Sequence, residues 1–88
     1  MESYEIQWKH SVEKDLKKIG PKEASRIIEA VHSLANNPFP PQVRKLRTTE
    51  RLYRIRVGDY RIIYEVDKEL KIVTIYYVRH RKDAYRKF

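Results

Sequence analysis

The sequence predicts an α+β domain of order β-α-α-β-β-β, a helix hairpin packed on a largely antiparallel four-stranded sheet. Three observations predict it. Apolar residues recur at helical spacing twice before residue 36, three runs rich in Tyr, Ile and Val follow residue 51, and Gly58-Asp59 separates two of those runs as a two-residue turn.

The first strand is read from Tyr4, Ile6 and Trp8, which alternate with Glu5, Gln7 and Lys9 in the period-two pattern of a half-buried strand. Ser11 suits an N-cap, Val12, Leu16 and Ile19 recur at helical spacing, and Gly20 suits the left-handed residue after a helix end. Pro21 fits the first turn of a second helix, whose apolar stripe is Ala24, Ile27, Ile28, Val31, Leu34 and Ala35. Asn36-Asn37-Pro38 stops that helix, and Pro38-Phe39-Pro40-Pro41 is a stiff connector. One turn between the helices predicts an antiparallel hairpin. Strands are then expected at Leu52–Val57, Tyr60–Val66 and Lys71–Val78, with Asp67-Lys68-Glu69 as a looser turn between the last two.

The two-residue loop fixes a register: Val57 faces Tyr60, Arg56 faces Arg61, Ile55 faces Ile62, and Arg54 faces Ile63. Tyr53, Ile55 and Val57 then share one face with Ile62, Tyr64 and Val66, the face a helix hairpin would cover. Arg54, Arg56 and Arg61 fall on the other, which is expected to be exposed. Like charges directly opposite one another destabilise a sheet, and a bound phosphate would offset that cost. The plainer reading is a solvated face whose arginines pair with Glu65 or with water.

Charge placement supports a polyanion such as nucleic acid, or an acidic protein partner. Residues 1–43 carry six Lys or Arg and six Asp or Glu, whereas residues 44–88 carry fourteen and six, so the whole net charge of +8 arises in the second half. The ending Arg79-His80-Arg81-Lys82-Asp83-Ala84-Tyr85-Arg86-Lys87-Phe88 interleaves basic and aromatic residues, a composition that can hold phosphates and stack bases. Its plain alternative is a frayed basic tail.

Other classes are poorly served. A chain of 88 residues suits one domain, residues 1–88, with one modest core. There is no cysteine, so disulfides and thiolate metal sites are excluded; no signal peptide or membrane-spanning run is visible, and the cytoplasm is expected. His10, His32 and His80 lack ligand spacing, Asp59 and Asp83 form no obvious carboxylate pair, and no nucleophile triad or phosphate-cradling glycine loop is present. No metal or other cofactor is expected.

The element order and four stretches, Arg44-Lys45-Leu46-Arg47, Leu52-Tyr53-Arg54-Ile55-Arg56-Val57, Tyr60-Arg61-Ile62-Ile63-Tyr64 and Val78-Arg79-His80-Arg81-Lys82-Asp83-Ala84-Tyr85, resemble the RelE family of toxins over essentially the whole chain. The resemblance implies the RelE-like microbial ribonuclease fold and the toxin of a type II toxin–antitoxin pair. It further implies metal-free cleavage of mRNA in the ribosomal A site, with the ribose 2′-OH attacking the adjacent phosphate to leave a cyclic phosphate. Carried over residue by residue, it implies catalytic roles for Arg54, Arg56, Arg61, Arg81 and Tyr85. Arg44, Lys45, Arg47, Arg79, His80, Lys82 and Arg86 would bind RNA. The implied partners are a cognate RelB-like antitoxin, the ribosome and mRNA, with no membrane.

One departure matters. The family's best-known pattern has lysines at the paired strand positions, where this chain has Arg54 and Arg56. Arginine is a poor proton acceptor, so the resemblance names no general base. Histidine is the side-chain type that titrates near neutrality, which makes His80 the candidate for proton transfer, with a structural or RNA-contacting role as the alternative. Two other functions share these features: a ParE-like relative that inhibits DNA gyrase, and a noncatalytic RNA-binding module working through phosphate contacts alone.

Overall fold

The computed structural model describes residues 3–41, 43–45 and 52–82. In chain order the elements are β1 (Glu5–Trp8), α1 (His10–Lys18), α2 (Pro21–Ser33), β2 (Arg44–Lys45), β3 (Leu52–Val57), β4 (Tyr60–Asp67) and β5 (Ile72–His80). The strands form one sheet of order β1-β5-β4-β3-β2, antiparallel except that β1 runs parallel to β5. The expected α+β architecture is thus present, with five strands rather than four among the described residues. The added strand, β2, pairs Arg44 with Arg54 and Lys45 with Tyr53. Two residues are too few for a period-two pattern to register.

Topology decides which face is covered. The chain leaves the sheet at one edge, β1, and returns at the other, β2, so the helical segment between them crosses one face. There Val12, Ile27, Val31 and Leu34 pack against Ile55, Ile62, Tyr64, Val66, Val73, Ile75 and Val78, all at most 5% exposed. Each helix makes its principal contacts with the sheet, α1 with β5 and α2 with β3. The connector is tied down as well: the Tyr64 hydroxyl donates to the Pro38 carbonyl at 2.7 Å, and Phe39 meets the Tyr53 ring edge-on at 5.0 Å.

Two local expectations are corrected. Helix α1 begins at His10 with Lys9 as its N-cap and no side-chain cap, so Ser11 lies inside the first turn. Gly20 has φ −57° and ψ 146°, outside the left-handed region; the helix ends at an extended Ile19, and Gly20 caps the start of α2, its carbonyl accepting from Ala24 N–H. With only Ile19 and Gly20 between the helices, a single residue both leaves one helix and enters the next, so the extended geometry of an N-cap prevails.

The β3–β4 hairpin has the predicted register throughout, from Val57 opposite Tyr60 to Arg54 opposite Ile63. Gly58 has φ +58°, while Asp59 is not among the positive-φ residues, which is the sign pattern of a type II′ turn with glycine first. A Cβ at Gly58 would meet nothing closer than an Arg26 guanidinium nitrogen at 4.0 Å, so the cost of a side chain is conformational rather than steric. Gly58→Ala is expected to lower unfolding free energy by about 1–2 kcal/mol, measured by urea denaturation. The second turn is held by Asp67, whose Oδ1 accepts from the N–H groups of Glu69 (3.0 Å) and Leu70 (2.9 Å), with Lys71 at φ +58°.

Candidate functional site

The face of the sheet opposite the helices carries the candidate site. Paired residues on neighbouring strands point the same way, so the registers can be read across the sheet as rows. The row nearest the Gly58 turn is Arg56, Arg61 and Arg79, on β3, β4 and β5. The next is Arg44, Arg54, Ile63 and Tyr77. Beyond it come Leu52, Glu65, Thr74 and Gln7, then Asp67, Ile72 and Glu5. Five arginines therefore occupy one end of the face and three carboxylates the other. That arrangement is a field gradient that would draw a polyanion toward the turn.

A β-bulge brings Arg79 into this row. The β4–β5 register shifts between Ile63 and Tyr64: Tyr64 faces Ile75, Ile63 faces Tyr77, and Tyr76 is the extra residue. Before the bulge, odd-numbered Val73 and Ile75 face the core; after it, Val78 does, and Tyr77 and Arg79 turn to the arginine face. Tyr76 packs beside Tyr77, ring centroids 6.4 Å apart, with the Lys9 ammonium 5.0 Å from the Tyr76 ring.

The expectation that all three hairpin arginines are exposed needs correction. Arg56 is exposed and Arg54 partly so, but Arg61 is only 8% exposed, and Ile63 beside it on the same face is 1% exposed. Strand β4 is central, so its outward side chains are flanked from both sides: Arg61 by Arg56 and Arg79, Ile63 by Arg54 and Tyr77. Long guanidinium stems and an aromatic ring can cover a central strand's outer face nearly as well as a second layer would. A guanidinium held largely out of water interacts with a phosphate at lower effective dielectric than one in solvent.

The other arginines differ in restraint. Arg56 Nε donates to the Gly58 carbonyl at 3.1 Å, which ties it to the turn. Arg79 Nη1 donates to Asp15 Oδ2 on α1 at 2.7 Å and to the Val78 carbonyl at 3.2 Å, and its guanidinium lies 4.9 Å from the Tyr77 ring centre. Arg81 is exposed at the end of β5, its backbone N–H donating to the Asp59 carbonyl at 2.7 Å, so it stands beside the hairpin turn. Arg44, Lys45 and Lys82 are exposed at the rim. Arg47, Tyr85 and Arg86 lie outside the described residues.

His80 sits opposite Tyr60 on the helix side of the sheet, its ring edge-on to the phenol at 5.4 Å. Its Nδ1 accepts a long hydrogen bond, 3.4 Å, from the Lys82 N–H. In a neutral ring an accepting Nδ1 leaves the proton on Nε2, which could then donate to a phosphate oxygen. Tyr60 is held neutral above its ordinary phenol range by burial, and next by the nearby Glu23 carboxylate. Glu23, Arg26, Val57, Gly58, Asp59 and Tyr60 line a small cavity of about 110 Å³ on this side of the turn.

Among the described residues no group of three or more His, Asp or Glu side chains could hold a metal ion, and no helix is long and apolar enough to cross a membrane. The geometry offers instead a preorganised array of guanidinium groups, suited to gripping a phosphodiester. The sequence reading missed three parts of it: the alignment of Arg79 with Arg61, Asp15 behind Arg79, and Tyr77 in the second row.

Comparison with known proteins agrees with this geometry. The sequence model of the family described as "ParE toxin of type II toxin-antitoxin system, parDE" matches residues 6–85. The chain is 30% identical over 76 residues to the putative toxin RelE1 of Methanocaldococcus jannaschii, covering 83% of this chain and 84% of that protein. It is 32% identical over 88 residues to the toxin RelG of Mycobacterium tuberculosis, covering 96% and 98%. Among solved structures it is similar to the archaeal RelE–RelB complex of Pyrococcus horikoshii, with a TM-score of 0.81, 32% identity, and coverage of 90% of this chain and 96% of that one. A basic sheet face of this layout, the family match over nearly the whole sequence and these relatives converge on one conclusion: the chain belongs to the RelE/ParE superfamily of type II toxin–antitoxin toxins.

Proposed function

We propose that this toxin is a metal-independent endoribonuclease that cleaves mRNA in the ribosomal A site and so stops translation in the cytoplasm. The observation that carries the reading is the row Arg56–Arg61–Arg79 across three adjacent strands, with Arg61 largely buried and Arg81 just past β5 beside the hairpin turn. In the reaction, the ribose 2′-oxygen bonds to phosphorus, the bond to the 5′-oxygen breaks, and a 2′,3′-cyclic phosphate and a 5′-hydroxyl result. The transition state bears more negative charge on the phosphoryl oxygens than the ground state, and fixed guanidinium groups stabilise that increment. Arg61 and Arg81 take the scissile phosphate. Arg54 or Arg56 contacts phosphate near the attacking hydroxyl, and Tyr85 stacks on a base or moves a proton. Arg44, Lys45, Arg47, Arg79, His80, Lys82 and Arg86 hold flanking RNA, with His80 as donor through Nε2–H. The cognate partner is a RelB-like antitoxin whose acidic segment neutralises the same arginines; the Pyrococcus relative was solved with RelB.

Primer extension on a defined mRNA in a purified translation system tests this, comparing the wild type with an Arg61→Ala, Arg81→Ala variant. The expected result is discrete cuts within codons that require ribosomes and vanish with the variant. Intact mRNA alongside active wild-type protein would eliminate the nuclease. One observation favours a second reading, gyrase inhibition: the matching family model is that of ParE toxins. Loss of gyrase supercoiling at stoichiometric toxin, with mRNA intact, would establish it.

A further inference from the structure

We infer that Asp15, on the first helix, is a positioning residue that aims Arg79 at the scissile phosphate beside Arg61 and Arg81, a role for Arg79 beyond the flanking-RNA contact given above; this rests on the nuclease reading. Strand β1 ends at Trp8 opposite Ile75, so from Tyr76 onward β5 has no strand neighbour on that side among the described residues. Helix α1 packs against β5, and Asp15 meets Arg79 there at 2.7 Å. The pair is only partly open to solvent, with side chains 25% exposed for Arg79 and 31% for Asp15.

An arginine on a strand end would ordinarily sample many rotamers and surrender that freedom on gripping a phosphate. Arg79 has already surrendered it. Nη1 is held between Asp15 and the Val78 carbonyl, and the guanidinium carbon lies over Tyr77, 4.9 Å from its ring centre, while Nε and Nη2 have no hydrogen-bond partner among the described residues. The bulge at Tyr76 places this fixed group in line with Arg61. A bidentate edge held in place beside a buried guanidinium is what a developing phosphorane dianion needs, because no reorganisation then accompanies the reaction. The carboxylate nearby weakens ground-state attraction for RNA, so its benefit falls on the chemical step rather than on binding.

The contrary possibility is that Asp15 merely neutralises Arg79 and holds it away from RNA. The two make opposite predictions. In ribosome-programmed cleavage, Asp15→Asn is expected to lower kcat about tenfold with KM unchanged or reduced, and Asp15→Glu to restore part of the loss. In an Arg79→Ala background, Asp15→Asn is expected to have no further effect, which a purely structural role for the aspartate would not produce. Faster cleavage by Asp15→Asn, or rates equal to wild type, would overturn the inference. Wild type that fails to cleave would instead remove the nuclease reading. In that event side-chain 15N NMR of the free protein decides the matter: an Arg79 Nε–H that becomes mobile in Asp15→Asn supports positioning, and one as ordered as in wild type overturns it.

Discussion

Arg61→Ala is expected to slow mRNA cleavage by about 10²–10³-fold, the scale on which loss of one preorganised transition-state donor is felt. Arg61 is the array's least exposed arginine among the described residues, at 8%, and it lies between Arg56 and Arg79. Alanine removes charge at the centre of the row, where the local dielectric is lowest. Arg61→Lys separates charge from geometry. It keeps a cation yet loses the planar fork, so it should recover binding more fully than rate. Single-turnover cleavage against RNA affinity reads the two separately, and circular dichroism melts establish that the variants are folded. Equal losses for Ala and Lys would assign the role to guanidinium geometry; a fully active Lys variant would reduce Arg61 to a point charge.

How much of this site was legible depends on where the sequence carries local constraints. The β3–β4 register follows from Gly58-Asp59 alone, because a two-residue turn leaves no slack, and Arg56 opposite Arg61 was therefore readable. The β4–β5 register was not. A four-residue turn, Lys68 to Lys71, allows several alignments, and strict alternation from Val73 and Ile75 would have sent Tyr77 and Arg79 into the core. Only a bulge at Tyr76 reverses that, and nothing in a run of apolar and aromatic residues marks one. Arg61's burial was hidden for a related reason: it follows from β4 being central, a fact of strand order, and not from the alternation within the hairpin. Asp15 and Arg79, 64 positions apart, meet only because β1 stops short of the end of β5.

The largest stability effect is expected at Tyr64. Its ring is fully buried in the core, and its hydroxyl donates at 2.7 Å to the carbonyl of the buried Pro38, which pins the proline-rich connector against β4. Tyr64→Ala leaves a ring-sized cavity and is expected to cost about 3–5 kcal/mol. That is a large part of the roughly 5–15 kcal/mol that holds a domain together, so the variant should melt far below wild type and be partly restored by a binding partner. Tyr64→Phe keeps the packing and strands the Pro38 carbonyl, for about 1–2 kcal/mol, or a Tm lower by roughly 5–15 °C in a domain of this size. The two variants also differ from wild type in alkali. Burial, and then the nearby Tyr53, hold the Tyr64 phenol neutral well above its ordinary value of 10.0. In the unfolded chain it ionises near that value, so above about pH 10 the native state retains a proton that the unfolded state has lost. Its contribution to stability is therefore complete below pH 10 and declines as pH rises, by up to about 1.4 kcal/mol per pH unit. Urea titrations from pH 8 to 11 should show wild type losing stability more steeply than Tyr64→Phe above pH 10. Parallel curves would mean that the phenol is hydrated in the native state and that the link between Tyr64 and Pro38 does not hold the connector.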